Sequence, residues 1–292
     1  MTVFDEHRRL LFAIAYRILG TAGDAEDAVQ DTWLKWSAAD RTNVADPRAY
    51  LARMVTHQAM DQLRSARRRR ETYIGPWLPE PILTTGDVDA DDISLAMLVV
   101  LETLSPLERA VFVLKEIFDF PYPEIAAAVD RTEPAVRQAA HRAREHVRAR
   151  RPRFHTDRRH QRDVTERFLA AASGGDLNGL LELLAPDVTL WTDGGGKVRH
   201  ARRPVVGAER VAAWMAGVSR VPYEGVAPAD MRADLVDLNG SPGIVFTGAG
   251  RVISTLSFDF ADDGRIRGIY TMANPDKLRA VTPGTTPPSA GR

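Results

Sequence analysis

Three consecutive glycines followed by a lysine, in the stretch TDGGGKVR at residues 192–199, are the pattern in this chain that most suggests phosphate chemistry. A glycine-rich loop cradles a phosphate when it reads G-x-x-x-x-G-K-[ST] and leads from a strand into a helix. Here Val198 follows Lys197, Trp191 occupies the first glycine position, and the next segment, VRHARRPVVG, is not helix-forming. The sequence therefore predicts no nucleotide site. It predicts a tight loop whose glycines permit a close approach.

Clustered arginines indicate a second kind of chemistry, the binding of a phosphate backbone. The formal net charge is zero, but RSARRRR at residues 64–70 has five arginines in seven positions. Residues 131–159 hold ten arginines against three acids, a local net charge of +7. Because local charge sets the field that a nucleic acid meets, these stripes favour DNA binding, although a solvated helix face is the alternative for either one alone.

Composition limits the remaining possibilities. The chain has 292 residues, enough for two domains, with 44% hydrophobic and 27% charged residues. It has no cysteine, which excludes disulfides and cysteine-based zinc or nucleophile chemistry. No apolar run approaches the roughly 18 residues of a membrane span, and the first residues do not resemble a signal peptide. We expect a cytoplasmic protein with no membrane contact and no metal or other cofactor.

The elements that must position these residues are helical in the first half of the chain. Apolar periodicity predicts helices over residues 4–72, the first ending at Gly20. The segment GDAEDAVQDTWLKWSAA predicts a helix with a polar face and an apolar face on which Trp33 and Trp36 pack inward. Residues 73–92 are rich in proline, glycine and acid and predict an extended linker. Helices resume from about Ile93.

The segment 104–150 predicts a helix-turn-helix. Ser105, Pro106 and Glu108 form a capping signal before the first helix, YPEIAAAV predicts a short helix, DRT predicts a turn, and EPAVRQAAHRAREHVRAR predicts a second, arginine-rich helix. Such a helix can enter the major groove of DNA. A charged helix in an unrelated bundle is the alternative.

After about Pro152 the pattern changes to helices followed by strands. A helical pair precedes the strand DVTLW, a further helix GAERVAAWMAGVS and several β-branched runs, with hairpin signals at LNG (238–240) and DDG (262–264). The prediction is an α+β domain with a curved antiparallel sheet. The tail TPGTTPPSAGR is predicted to be disordered.

The two helical blocks together resemble an extracytoplasmic-function RNA polymerase sigma factor. GDAEDAVQDTWLKW resembles the polymerase-binding helix of sigma domain 2, PRAYLARMVTHQAMDQLRSARRRR the helix that reads and melts the −10 element, and the helix-turn-helix sigma domain 4. His57 stands where many members have asparagine, whereas Asp61 and Arg64 match. WLPEP, DGGGK and NPDKL, in that order, are similar to motifs of the subgroup with a fused SnoaL-like (NTF2-like) C-terminal domain.

The resemblance implies a multidomain protein of two all-α sigma domains and an α+β, cone-shaped SnoaL-like domain. It implies sigma domain 2 at residues 1–72, the acidic linker at 73–92, sigma domain 4 at 93–152, the SnoaL-like domain at 160–281 and the tail at 282–292. The linker resembles the segment that other sigma factors thread toward the active-site cleft. The implied partners are core RNA polymerase, through its clamp helices and flap, and promoter DNA, with one copy of the chain acting as a monomer.

The resemblance also assigns site residues, in four groups. The polymerase-binding residues would be Asp24, Glu26, Asp27, Gln30, Asp31 and Leu34. The −10 residues would be Asn43, Asp46, Arg48, Tyr50, Arg53, His57, Arg64 and Arg67, and the −35 residues Arg137, Gln138, His141, Arg142 and Arg144. Regulatory contacts within the chain would be Trp77, Leu78, Pro79, Glu80, Pro81, Asp193, Gly194, Gly195, Gly196, Lys197, Asn274, Pro275, Asp276, Lys277 and Leu278.

The same resemblance leaves two other functions open. Some relatives of SnoaL-like domains are enzymes that use an Asp/His pair, so Asp193 and His200 could form one, with Trp191, Trp214 and Tyr223 lining an apolar cavity. A surface histidine and core aromatics are the favoured interpretation, so no catalytic residue is predicted, while a small ligand in the pocket remains possible. The third possibility, a DNA-binding regulator that never joins polymerase, leaves the acidic helix of domain 2 without a role.

Overall fold

The computed structural model describes residues 2–40, 44–84, 94–150 and 157–281, without the side chains of 67–69. The chain divides into two compact units. The helical unit comprises Met1–Thr72 and Leu98–Pro152, and the α+β unit comprises Tyr73–Met97 and Arg153–Arg292. Asn43, most of the acidic linker sequence, the side chain of Arg67 and the predicted disordered tail lie outside the described residues. Within those ranges no helix is long and apolar enough to span a bilayer.

The first three helices begin and end where the sequence predicts. Helix α1 (Val3–Leu19) has a capping box between Thr2 and Asp5 and ends at Gly20, whose φ of 80° closes the helix without a steric penalty. The next two helices are α2 (Ala22–Ala38) and α3 (Pro47–Arg70). All three pack against one another around buried aliphatic side chains of α1 and α3.

The second helical block contains the helix-turn-helix. It comprises α4 (Leu95–Glu102), α5 (Pro106–Phe112) with a π-helical continuation, α6 (Tyr122–Val129) and α7 (Glu133–Arg150). The predicted Ser105–Glu108 capping box is present. Asp130 ends α6 in the left-handed conformation, with φ 51°, so the chain turns sharply into α7.

A buried ionic cluster joins the two helical blocks. Arg109 is 1% exposed; its Nε donates to the carbonyl oxygen of Arg17 at 2.8 Å, and its guanidinium pairs with Glu102. Glu102 also pairs with Arg70, which donates to the carbonyl oxygen of Leu19 at 2.8 Å. Because these groups have lost water, their mutual pairing is what makes their burial tolerable.

The α+β unit has the predicted order of elements. Helices α8 (Arg158–Gly174) and α9 (Leu177–Leu183) precede strand β1 (Leu184–Asp193), and α10 (Ala208–Val218) follows the short β2 (Val205–Val206). The remaining strands are β3 (Arg232–Leu238), β4 (Ser241–Gly248), β5 (Arg251–Phe260) and β6 (Ile266–Met272). The three helices pack on one face of the sheet, where Phe168, Leu190, Met215 and Phe258 belong to one core cluster.

The sheet is mixed, so the prediction of an antiparallel sheet is wrong at one place. The strand order is β2-β1-β6-β5-β4-β3, and β1 pairs parallel with β6 while all other pairs are antiparallel. Turn signals predict pairing only between consecutive strands. The pair β1–β6 joins strands separated by α10 and two hairpins, which no local turn specifies.

Candidate functional site

The three short motifs that the sequence singles out meet at one buried carboxylate in the α+β unit. Asp193 ends β1 and is 0% exposed. Its Oδ1 accepts from the Tyr73 hydroxyl at 2.5 Å and from the Gly195 N–H at 3.0 Å. Its Oδ2 accepts from the Leu78 N–H at 2.9 Å and from Lys277 Nζ at 2.8 Å. Four donors thus replace the water that this charge has lost.

Lys277 supplies the opposite charge and a second grip on the linker. Its Nζ also donates to the Leu78 carbonyl oxygen at 2.6 Å, and the side chain is 7% exposed. The ammonium lies 4.0 Å from the centroid of the Trp77 ring and 5.0 Å from that of Tyr73. Two aromatic faces and a carbonyl therefore complete the environment of the cation.

Asn274 and Tyr73 complete this arrangement, which we call the linker-docking network: Tyr73, Leu78, Asp193, Asn274 and Lys277. Asn274 Nδ2 donates to the Tyr73 hydroxyl oxygen at 2.8 Å, and its backbone N–H donates to the Asp193 carbonyl oxygen at 2.9 Å. Burial and the Asp193 carboxylate raise the pKa of Tyr73. The hydroxyl therefore stays protonated and remains a donor to Asp193.

The glycines of DGGGK explain how the loop fits here. Gly195 and Gly196 have φ of 61° and 71°, a region that favours glycine. A Cβ on Gly195 would collide with the Asn274 side chain, and one on Gly196 would lie 2.9 Å from Cδ1 of Ile74 in the linker. The glycines therefore allow this loop to approach NPDKL and the linker, as the sequence predicts for a close approach. Lys197 forms an exposed ion pair with Asp276.

The linker continues along the edge of the sheet. Leu78, Pro79 and Pro81 are buried, and Leu83 bridges Leu238 of β3 in antiparallel fashion. This pairing covers part of an edge strand. The described part of the linker, Tyr73–Thr84, is thus extended, as predicted, but it is packed on the α+β unit along its length.

The other predicted members of the regulatory set differ in burial. Leu278 is 4% exposed and lies in the core, whereas Pro275 and Asp276 are exposed and Glu80 is partly buried. Tyr73 was missed by the sequence analysis. The only available signal was a lone tyrosine just before WLPEP, which by itself indicates nothing.

The alternative Asp193–His200 pair is not formed. Asp193 is occupied by its four donors, and neither ring nitrogen of His200 has a hydrogen-bond partner among the described residues. His200 instead contacts the rings of Tyr223 and Trp214, at centroid distances of 5.4 and 6.1 Å. Trp191 stacks on Tyr270 at 5.0 Å and is not part of that aromatic group.

Helix α2 carries the predicted polymerase-binding residues. Asp27, Gln30 and Leu34 are exposed, and Asp24, Glu26 and Asp31 are partly buried. The prediction that Trp33 packs inward is wrong, because its side chain is 48% exposed beside Leu34 at 51%, while Trp36 is buried at 5%. Periodicity places Trp33 at the border of the apolar face, where only tertiary packing decides its exposure.

The described part of α2 is fixed to α3 by a contact that the sequence analysis missed. Gln58 Nε2 donates to Asp31 Oδ2 at 2.7 Å, and Gln58 Oε1 accepts from Lys35 Nζ at 2.7 Å. A glutamine within a helix gives no sequence signal for such a bridge.

The predicted −10 residues lie along α3 and just before it. Arg48, Arg53 and Arg64 are exposed, and His57 and Tyr50 are partly buried. Asp46 Oδ1 accepts from the Ala49 N–H at 3.1 Å and so caps the helix. The guanidinium of Arg48 lies 4.3 Å from the centroid of the Phe120 ring, which precedes α6.

The predicted −35 residues share the outer face of α7. Val136, Ala140, Ala143 and Val147 are buried as predicted. Arg137, Gln138, His141 and Arg142 are exposed, and Arg144 is partly buried.

Three arginines of this face are paired with glutamates. Arg142 Nε lies 2.8 Å from Glu108, Arg144 lies 3.3 Å from Glu116, and Arg137 pairs with Glu133. The pairs orient the guanidinium groups at the surface, where ion pairs are weak and can exchange partners.

Comparison with known proteins agrees with this architecture. The Sigma-70 region 2 model matches residues 3–69, and the Sigma-70, region 4 model matches residues 94–147. The Mycobacterium tuberculosis protein named ECF RNA polymerase sigma factor SigJ is 39% identical over 292 residues, covering 94% of this chain and 92% of that protein. The protein named Probable ECF RNA polymerase sigma factor SigI, from the same species, is 36% identical, covering 70% of this chain and 72% of its own.

A solved structure gives the same result for the fold. The crystal structure of M. tuberculosis extracytoplasmic function sigma factor SigJ matches with a TM-score of 0.75 and 35% identity, covering 95% of this chain and 97% of that one. Two helical sigma regions followed by an α+β domain define a sigma factor with a fused C-terminal domain, and the predicted fold class is confirmed. The chain belongs to the extracytoplasmic-function RNA polymerase sigma factors.

Proposed function

We propose that this chain, as a single copy in the cytoplasm, binds core RNA polymerase and directs it to a specific class of promoters. Helix α2 binds the clamp helices, through the exposed acids and the apolar pair Trp33 and Leu34. A charged surface steers the encounter, and a small apolar patch at its centre supplies affinity. The second helical block, residues 94–150, binds the flap.

In this proposal α3 reads and melts the −10 element. Its exposed arginines hold the backbone of the opened strand, and Tyr50 and His57 contact bases. Asn43 and Arg67 belong to the same proposed set. Helix α7 reads the −35 element, with Gln138 and His141 placed for base edges and the neighbouring arginines for phosphates.

The C-terminal domain regulates this activity from within the chain, and the linker-docking network is the observation that carries the proposal. The linker connects the two DNA-reading blocks, and its first half is fixed by Asp193 and Lys277. Docking therefore sets how far and in which direction the second block can move from the first. No catalysis by the C-terminal domain is part of the proposal, since its candidate acid is engaged in this network.

In vitro transcription with core RNA polymerase on a promoter library tests both parts. The full chain should produce defined start sites that core polymerase alone does not. Asp193→Asn should change the transcript yield at least threefold relative to Asp276→Asn, which removes one carboxylate charge from the exposed pair of the same motif group.

The outcomes separate the two parts. A lower yield from Asp193→Asn means that the docked linker supports initiation, and a higher yield means that it restrains initiation. Equal yields from the two variants contradict regulation through the network. No start sites and no core binding from the wild-type chain contradict the sigma function itself.

A further inference from the structure

Three aromatic side chains enclose a group of polar atoms in the α+β unit, away from the linker-docking network. His200 follows the glycine loop, Trp214 lies on α10, and Tyr223 lies in the turn after α10. The His200 ring is 5.4 Å from that of Tyr223 and 6.1 Å from that of Trp214, between centroids. Thr192 Oγ1 donates to the Ala201 carbonyl oxygen at 2.7 Å and so fixes the segment that carries His200.

The polar atoms of this group are buried without hydrogen bonds inside the described structure. They are His200 Nδ1 and Nε2, the Tyr223 hydroxyl and, on β6 beside Thr192, Thr271 Oγ1. Most buried polar groups in proteins have partners, and each one without costs about 1–3 kcal/mol. Several together in one place indicate that they serve a ligand rather than the fold.

The group is electrically neutral. Burial lowers the pKa of His200 to about 4, so at neutral pH one ring nitrogen donates and the other accepts. Burial raises the pKa of Tyr223, on which Glu224 and Arg251 act with opposite signs. Asp193, the carboxylate that most affects His200, is paired with Lys277. A charged ligand would therefore lose its hydration without gaining a counter-ion.

We propose that His200, Trp214 and Tyr223 form a binding site for an uncharged, planar aromatic molecule that carries both a hydrogen-bond donor and an acceptor. The rings of Trp214 and Tyr223 offer stacking or edge contacts to a flat molecule, and the imidazole and phenol offer the polar contacts. The site lies in the domain to which the proposed function assigns regulation, and it gives that regulation a chemical class of signal.

Binding is tested on the full chain with small probes of defined charge. Benzamide and indole are the neutral probes, and benzoate and benzylammonium are charged probes of similar size. Protein-observed NMR of the chain labelled with [15N]histidine reports on the His200 ring directly. We expect saturable shifts of that ring with benzamide or indole and at least tenfold weaker binding of both charged probes.

Two variants and a matched control assign the site. Tyr223→Phe and His200→Phe keep the ring shapes and remove the polar atoms, so each should weaken benzamide binding at least fivefold. Tyr122→Phe removes a tyrosine hydroxyl from the helical unit and should leave binding unchanged. Should either site variant fail to fold, the shift of the wild-type His200 ring and the charge preference still decide.

The opposing results are equally specific. Absence of a saturable His200 shift with both neutral probes at millimolar concentration, with water alone contacting the polar atoms, overturns the site. So does equal binding of charged and neutral probes. If Asp193→Asn changes transcription while no probe binds, the proposed function stands and this inference fails. If probes bind while the network variants leave transcription unchanged, the site stands and cis regulation fails.

Discussion

At the scale of single residues, Asp193 and Lys277 show how a buried ion pair can hold a linker in place. Both are almost fully buried, and each bonds to the backbone of Leu78 as well as to the other. Removing one member of such a pair leaves the other charge buried without compensation, which is more damaging than losing an exposed pair.

We therefore expect Asp193→Asn to lower the free energy of unfolding by about 3–5 kcal/mol, because Lys277 keeps its charge and loses its counter-ion. Asp276→Asn should cost less than about 1 kcal/mol, since its ion pair with Lys197 is about half exposed. Urea unfolding followed by circular dichroism measures both. Equal costs for the two variants would mean that the buried pair contributes no more than the surface pair.

His200 gives the α+β unit a pH dependence of known sign. Burial lowers the pKa of His200 from 6.5 to about 4, so the unfolded chain binds a proton more readily than the folded one between these values. The contribution to stability is complete above about pH 6.5 and is lost as the pH falls toward 4.

Between pH 7.5 and pH 5 the wild-type chain should lose about 2 kcal/mol that His200→Phe does not lose. Denaturant unfolding of the two proteins at the two pH values is the measurement. Parallel losses in both proteins would show that the folded His200 accepts a proton as easily as the unfolded one.

At the scale of elements, loops rather than helices decide how the motifs meet. The DGGGK loop leaves β1 and reaches both the linker and NPDKL because two of its glycines take positive φ. A side chain at Gly195 would meet the Asn274 side chain, which bonds to Tyr73. Loop and linker are therefore coupled through van der Waals contact as well as through hydrogen bonds.

Gly195→Ala should release the linker, and Gly250→Ala should not. Both positions have positive φ, 61° and 74°, so the backbone strain of about 1 kcal/mol is shared. Only Gly195 has a neighbour that an added Cβ would meet. Hydrogen exchange of the Leu78 amide should accelerate at least tenfold in Gly195→Ala alone. Similar acceleration in both variants would assign the effect to strain rather than to contact.

In the helical unit the buried cluster of Arg109, Glu102 and Arg70 connects α5, α4 and α3. Glu102→Gln removes the negative charge that two buried arginines share, so we expect it to destabilise this unit by at least about 3 kcal/mol. Glu145→Gln, at an exposed pair with Arg148, should change stability by less than about 1 kcal/mol. Thermal unfolding monitored by calorimetry compares the two, and a similar Tm for both would contradict the structural weight given to the cluster.

At the scale of the whole molecule, the helical unit holds the two proposed DNA-reading helices close together. Helix α3 packs on α6, which packs on α7, so their axes are about 20 Å apart at the usual spacing of packed helices. Centres of −10 and −35 elements are about 25 base pairs apart by name, or about 85 Å at 3.4 Å per base pair. The described arrangement cannot contact both elements, and the helices must separate on a promoter.

Fluorescence energy transfer measures this separation. The chain has no cysteine, so Asp61→Cys on α3 and Ala149→Cys on α7, two exposed positions, accept a dye pair without background labelling. Transfer should be high in the isolated chain and fall strongly when core polymerase and promoter DNA are added. Unchanged transfer in a transcribing complex would contradict the requirement for separation.

The sequence by itself determined the elements and the family. Periodicity, caps and turn residues are local, so the helix-turn-helix, the Ser105–Glu108 box and both predicted hairpins follow from residues a few positions apart. The motifs WLPEP, DGGGK and NPDKL indicated where the chain contacts itself, though not through which atoms.

Only the tertiary structure decided the partners. Asp193 faces Lys277, 84 positions away, and Tyr73, 120 positions away, rather than the nearby His200. The parallel pairing of β1 with β6, the exposure of Trp33 and the docking of the linker likewise depend on which surfaces meet after collapse. Local patterns fix which face of an element is apolar, but the choice among distant partners rests on packing and on the desolvation of charges, which no short stretch of sequence encodes.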